Sequence, residues 1–310
     1  MRKIFNFFKP LLRPVIHGIR KKQLRSKLLT NLHTQNLAYS FTNEDIELYV
    51  QEVFTSLKTL VTKKTEDAGL VTVTIDGTKI FWPESQSERD LPWLFHEVFD
   101  SFNTNPSSYD NPNLAYETRS WIIDAGAAEG YFSIFALKKS SASLICIEPL
   151  PIMKMALEKT LSLYPNGKPS IVISSALSDK AGWADIQIDE NHICDSKLVS
   201  TSSSVVEQGG SSTSQRVPIT TLDQIAIDRK LGVNGLIKMD IEGYEMLALT
   251  GSVSLMRDFK PALAVAVYHD LDNAKKCAEI IKAANPDYRI DFRGFFGYDQ
   301  PPRPYMVFAY

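Results

Sequence analysis

Hydrophobic and polar positions keep a different rhythm in successive parts of this chain. Over residues 44–62, Ile46, Tyr49, Val50, Val53, Phe54, Leu57 and Leu60 recur at three- and four-residue steps. That spacing predicts an amphipathic helix, with Thr42 or Asn43 capping it ahead of Glu44 and Asp45. In LVTVTIDGTKIFWP two β-type runs flank Asp76-Gly77, a pair suited to a tight hairpin turn. Trp93, Leu94, Val98 and Phe99 then mark a short helix, and SFNTNPSSYDNPNLAYETRS, rich in Asn, Pro and Ser, reads as a loop into a new unit.

From Trp121 the texture changes. WIIDAG, SLICIEP, PSIVISSALS, GLIKMDIEG and PALAVAVYHD are short apolar runs that end in small or acidic residues. Helical patterns separate most of them: YFSIFALKK, PIMKMALEKTL, LDQIAIDRKL and EMLALTGSVSLMRD. Strands apolar on both faces, alternating with helices, predict a mostly parallel α/β sheet with helices on both sides. In such sheets ligands sit beyond the carboxyl ends of the strands, so strand-terminal residues carry the candidate chemistry. STSSSVVEQGGSSTS reads as a flexible hairpin or loop between the third and fourth strands, either bordering the site at the strand ends or forming a solvated turn.

The first strand ends in Asp124, followed by Gly126 and Gly130 around a turn into a helix. Glycines there permit positive φ and a close approach of ligand to backbone. The spacing is Gly-x-x-x-Gly after an acid, neither the three-glycine dinucleotide fingerprint nor a P-loop. Asp124 suits an ammonium group and would repel a pyrophosphate. Glu148 ends the second strand, where a carboxylate either accepts hydrogen bonds from ribose hydroxyls or caps the following helix. Together the turn and the acid imply an adenosine-type ligand with a positive charge nearby, for which S-adenosylmethionine fits.

Composition adds two facts. The 310 residues include three cysteines, Cys146, Cys194 and Cys277, without CxxC spacing, which read as thiols in a reducing, cytoplasmic compartment. Residues 1–43 hold nine Lys or Arg and no acid, leaving 25 basic against 36 acidic residues beyond them. An acidic body argues against a general nucleic-acid binder. In the basic head, Lys9 and Arg13 interrupt the apolar run, so it neither spans a bilayer nor makes a secretory signal. From Val15 onward it suits an amphipathic helix with Arg20, Lys21, Lys22, Arg25 and Lys27. Peripheral contact of residues 1–30 with an anionic membrane, a helix packed on the acidic body, and an organelle transit peptide all fit that pattern.

The glycine turn, IEPLP, SALSDKAG, VPITTLDQI followed by LIKMDIEGYEMLALTGSVSLM, and PALAVAVYHD with a terminal YMVFAY resemble the FkbM-type family of S-adenosylmethionine-dependent methyltransferases over residues 116–310. The resemblance implies a Rossmann-like, seven-stranded sheet with a terminal antiparallel pair, and O-methylation of a hydroxyl on a sugar, glycolipid or small molecule. It implies cofactor contacts from Asp124, Gly126, Ala127, Glu129, Gly130, Glu148 and Leu177. Ala127-Ala128-Glu129 stands where many members carry Ala-Asn before the second glycine.

Asp240 and Glu242 match the family's acidic positions at the end of the fourth strand. His269 ends the next strand, either as a proton acceptor or as a structural hydrogen-bonding residue. Asp240, Glu242 and His269 offer oxygen and nitrogen ligands, but their spacing forms no recognised metal signature and no metal is assigned. Lys238 and Glu245 read as strand-packing or helix-surface residues. The expected organisation is a basic segment (1–43), an accessory helix and hairpin region (44–115) and a methyltransferase domain (116–310). A nicotinamide-dependent oxidoreductase and a non-catalytic membrane-tethered module are the competing readings; the absent third glycine counts against the former.

Overall fold

The computed structural model describes residues 18–30, 43–52, 61–65, 69–105, 107–165, 167–189, 193, 196–199, 212–296 and 302–310. The first 17 residues, Cys194 and most of the serine-rich stretch (200–211) lie outside the described residues, as do residues 53–60. Helix α1 (residues 18–30) turns Leu24 and Leu28 onto Ile46 and Val50 of α2 (Asn43–Glu52), with Phe295 closing this small cluster. The helix expected to reach residue 62 does not do so. Val61–Thr65 is strand β1, paired antiparallel with β2 (Leu70–Ile75). Val-Thr-Lys-Lys-Thr has the β-branched composition of an edge strand.

The hairpin at Asp76-Gly77 forms as the sequence predicts. Ile75 pairs with Thr78, and Asp76 and Gly77 have φ of 43° and 81°, joining β2 to β3 (Thr78–Pro83) by a turn with both central residues left-handed. Helix α3 (Leu91–Phe99) follows, burying Leu91, Phe95 and Val98.

The main sheet has seven strands: β4 (Trp121–Ala125), β5 (Ser143–Ile147), β6 (Ser170–Ile173), β11 (Gly235–Met239), β12 (Ala262–Ala266), β13 (Ile290–Arg293) and β14 (Met306–Ala309). Their order is β13-β14-β12-β11-β4-β5-β6, and only β14 runs antiparallel to its neighbours. The chain winds from β4 outward to β6, then crosses back to β11, so strand order reverses between β4 and β11. Helices α4 (Tyr131–Lys139), α5 (Pro151–Ser162), α6 (Leu222–Arg229), α7 (Glu245–Thr250), α8 (Val253–Phe259) and α9 (Asn273–Ala284) cover the two faces.

Alternate residues of each central strand feed two separate cores. Ile122, Leu236, Ala262 and Ala264 face the core shared with α4, α5 and the β1–β3 sheet; Ile123, Ile237, Leu263 and Val265 face α6–α9. The two-residue period of a strand buried on both faces is directly visible here. The same alternation puts Asp124 and Lys238 on the first face, and the β4–β11 register sets them directly opposite each other.

Two features depart from the sequence pattern. PSIVISSALS makes β6 and then a separate two-residue strand, β7 (Ala176–Leu177), which leaves the main sheet. With β8 (Gly182–Asp189), β9 (Lys197–Val199) and β10 (Ser212–Thr220) it builds a four-stranded sheet ordered β7-β10-β8-β9. The apolar run EMLALTGSVSLMRD is two helices, broken at Gly251, where a Cβ would lie 2.3 Å from the Ser178 carbonyl oxygen. That backbone-to-backbone approach excludes any side chain.

Candidate active site

The carboxyl ends of β4, β5, β11 and β12 border a cleft of about 1190 Å³, taken out to its open mouth. Its floor is the turn after β4. Gly126 adopts φ of 73°, and a Cβ there would lie 1.8 Å from the carbonyl oxygen of Asp240. Glycine is therefore what lets the ends of β4 and β11 meet at the point of strand reversal. Ala128 is also left-handed (φ 40°), and Gly130 (φ 89°) caps α4.

Of the cofactor candidates, Gly126, Ala127, Glu129, Glu148 and Leu177 line the cleft, while Asp124 and Gly130 lie behind it. Asp124 is fully buried, with its carboxylate held by the Ser133 hydroxyl at 2.6 Å and the Lys238 ammonium at 3.1 Å. Lys238 donates in addition to the Gly126 carbonyl at 2.6 Å. Burial raises the Asp124 carboxyl above its ordinary range, against the pull of Lys238. The ammonium that this acid meets is thus a lysine of the neighbouring strand, and the pair braces the glycine turn from below.

Glu148 takes up the helix-capping role read from sequence and ties it to the glycine turn. One carboxylate oxygen accepts from the Leu150 amide (2.8 Å) at the start of α5, the other from the Ala128 amide (3.1 Å) in the turn. Each oxygen keeps a second lone pair, so the carboxylate can still accept from a diol. Burial pushes Glu148 up to about 7, with those two amides pulling the other way. Glu129 is likewise raised to about 7 by burial.

On the opposite wall, Asp240 and Glu242 follow β11, and His269 lies just beyond β12, behind the cleft lining. His269 Nε2 lies 3.3 Å from Glu242 Oε2 and 3.8 Å from Asp240 Oδ1, while Nδ1 lies 3.4 Å from Glu245 Oε1. Burial lowers the imidazole's pKa, but Glu242, Asp240 and Glu245 outweigh it and raise it to about 9. Glu245, read from sequence as surface or packing, is fully buried and functional to the turn: it accepts from the Ile241 and Gly243 amides and from Asn273. Lys238 is the strand-packing residue that the sequence suggests, though its partner is a charge.

Glu97 was not singled out in the sequence. From α3 it reaches the cleft, accepting from the Tyr305 hydroxyl at 2.8 Å. Burial and the Asp240 charge push it up to about 8. Its signal was an acid beside Leu94 and Val98 on the apolar side of α3. Tyr109 and Tyr268 also line this half of the cleft; Tyr268 is marked only by its place at a strand end beside His269, and nothing in the local pattern marks Tyr109.

A parallel sheet with an antiparallel penultimate strand in spatial order, and a cleft where strand order reverses, define a Rossmann-like methyltransferase fold. The FkbM methyltransferase domain model matches residues 124–289, just over half of the chain. The chain belongs to this family of S-adenosylmethionine-dependent methyltransferases. Among solved structures it is similar to the FkbM methyltransferase of Methylobacillus flagellatus, at 21% identity over 71% of this chain and 50% of that one (TM-score 0.49). It is also similar to the tRNA m1G37 methyltransferase of M. jannaschii, at 12% identity over 86% and 68% (TM-score 0.40). For Methanococcus jannaschii fibrillarin the figures are 13%, 81% and 96%, with a TM-score of 0.36. The chain thus spans half the length of the Methylobacillus protein. No curated protein matches it.

The residues present fit this cofactor. Glu129, Glu148, Asp240 and Glu242 make the cleft wall acidic, while Lys238, the one lysine lining it among the described residues, is engaged with Asp124 and backbone carbonyls. Such a wall favours a sulfonium and an ammonium and disfavours a pyrophosphate. Leu150, Met153, Leu177 and Ile241 supply apolar surface for a nucleobase. Cys146 and Cys277 are buried and free. Among the described residues no helix is long and apolar enough to cross a membrane.

Proposed function

We propose that this protein methylates a hydroxyl oxygen of a sugar, glycolipid or small-molecule acceptor. The observation that carries this reading is the acid-lined cleft with Glu148 on one wall and Asp240 and Glu242 on the other. S-adenosylmethionine supplies an electrophilic methyl carbon on a sulfonium. In this reading Gly126, Ala127, Glu129, Glu148 and Leu177 hold the cofactor, Glu148 accepting from its ribose hydroxyls, and Asp124 and Gly130 hold the turn. Asp240 and Glu242 face the acceptor, with His269 behind them. The acceptor hydroxyl gives its proton to a wall carboxylate, and its oxygen forms the new C–O bond as the C–S pair returns to sulfur. Alignment of oxygen, carbon and sulfur contributes most of the rate, with proton removal adding to it.

Calorimetric titration with S-adenosylhomocysteine tests the cofactor half, with Glu148→Ala expected to weaken binding at least tenfold. Acceptor hydroxyls are then screened with a ¹³C-methyl-labelled donor. A product signal in the methoxy region is the expected result; an N-methyl or C-methyl signal, or no donor consumption with any hydroxyl acceptor, counts against this reading.

The basic head supports peripheral contact with an anionic membrane. Arg20, Lys22, Arg25 and Lys27 are exposed on α1, whereas Leu24 and Leu28 are spent on α2. Contact through α1 is therefore electrostatic rather than insertive. Co-sedimentation with anionic vesicles should fall steeply between low and physiological salt, and deletion of residues 1–30 should abolish it.

A further inference from the structure

At the ends of β11 and β12, Asp240, Glu242 and His269 each turn one ligand atom toward a common space, all within 4.8 Å of one another. We propose that these three side chains form a divalent-cation site for an ion such as Mg²⁺ or Mn²⁺, which holds the acceptor's hydroxyl oxygen at the cleft wall.

The distances suit it. Of the separations between His269 Nε2 and the two carboxylates, 3.3 Å falls within the roughly 3 to 3.5 Å edges of a coordination sphere with bonds of about 2.1 Å, and 3.8 Å lies a few tenths of an ångström beyond them. The His269 side chain is 9% exposed, yet neither ring nitrogen makes an aligned hydrogen bond, and Asp240 Oδ1 is also buried without one. These atoms face one another at 3.3 to 3.8 Å around a common space.

Behind the imidazole stands Glu245. Its carboxylate lies 3.4 Å from Nδ1 and is fixed by two turn amides and Asn273. A carboxylate beside the far nitrogen is the usual support of a metal-bound histidine. Finally, Glu242 is held left-handed at φ of 57°, a conformation that costs a non-glycine residue about 1–3 kcal/mol and recurs at ligand clamps.

An ion here would polarise a bound hydroxyl and ease its deprotonation. That role rests on the methyl-transfer reading; binding of the ion does not. The test titrates EDTA-treated full-length protein with Mn²⁺, following the free-ion EPR signal. One ion per chain should leave that signal, and His269→Ala and Glu242→Gln should each weaken binding tenfold or more with an unchanged circular dichroism spectrum. Mn²⁺ that stays free, or binds wild type and both variants alike, overturns the site. A measurement needing no variant guards against misfolding: bound Mn²⁺ should selectively broaden the ring signals of one of the five histidines. Broadening of none, or of all equally, overturns the site. S-adenosylhomocysteine titration of the same samples reports separately on the cofactor, so Mn²⁺ binding without it would sink the methyl-transfer reading and leave the ion site standing.

Discussion

Lys238 and Asp124 illustrate how a charge can be structural in the middle of a ligand site. Both are buried and face each other across β4 and β11, 3.1 Å apart. Removing one member of such a pair costs about 3–5 kcal/mol, mostly from the charge left behind. Lys238→Met should therefore destabilise strongly in urea unfolding. Adding Asp124→Asn should recover part of the loss, because the amide keeps a partner in Ser133 without a buried charge. If the double variant is no more stable than Lys238→Met, the pair is not what holds the turn. Gly126, Glu148 and Asp240 were legible as positions because a buried parallel strand exposes its chemistry only at its tip, whereas Asp124, one residue short of that tip, is buried against Lys238. Lys238 sits at the same register as Asp124, and its role was hidden because its reach to Asp124 and to the Gly126 carbonyl joins strands distant in sequence. His269, Glu242 and Glu245 were legible as acids and imidazole near strand ends, but their convergence needs the fold.

Helix α5 and strand β3 are joined by polar groups as well as packing. Tyr164, just past α5, both donates to and accepts from the Lys79 backbone at 2.8 Å, and the buried Thr160 hydroxyl accepts from the Phe81 amide at 2.8 Å. These bonds satisfy the free edge of the β1–β3 sheet, which would otherwise be open to pairing. Thr160→Val keeps the volume but removes the acceptor of the part-buried Phe81 amide, at about 1 kcal/mol or somewhat more. Hydrogen exchange should speed up at Phe81 and its β3 neighbours while β4 and β11 stay protected; a uniform change across the molecule would refute local stitching. The β2–β3 hairpin, α3, α4 and the five parallel strands were readable from periodicity, since each carries its own apolar pattern. The β7–β10 sheet was not, because its pairing is non-local: β8 and β10 meet across residues 190–211, and β7 is only two residues long. The break between α7 and α8 was hidden for a related reason, as only the approach of Ser178 demands Gly251.

Across the whole molecule, the acid-lined cleft couples folding to pH in a direction opposite to ligand binding. Burial raises Glu129 and Glu148 to about 7 from an ordinary 4.5, with Lys238 the cation opposing the shift in both and Asp124 the anion adding to it. For a carboxyl whose folded pKa lies above its unfolded one, the folded state holds more protons between the two values. Stability therefore falls as pH rises from about 4.5 to 7, and the loss is complete above 7. At ~1.4 kcal/mol per unit, the two groups together are worth on the order of a few kcal/mol. The ligand-free protein should melt several degrees higher at pH 5.5 than at pH 8, and Glu148→Gln should flatten the profile. Affinity for S-adenosylhomocysteine should run the other way, rising from pH 6 to 8 as Glu148 ionises and becomes a stronger acceptor for ribose hydroxyls. Melting curves and calorimetry on one sample across that range check both trends. Were stability and affinity to rise together with pH, the raised carboxyls would not be the groups that govern the cleft.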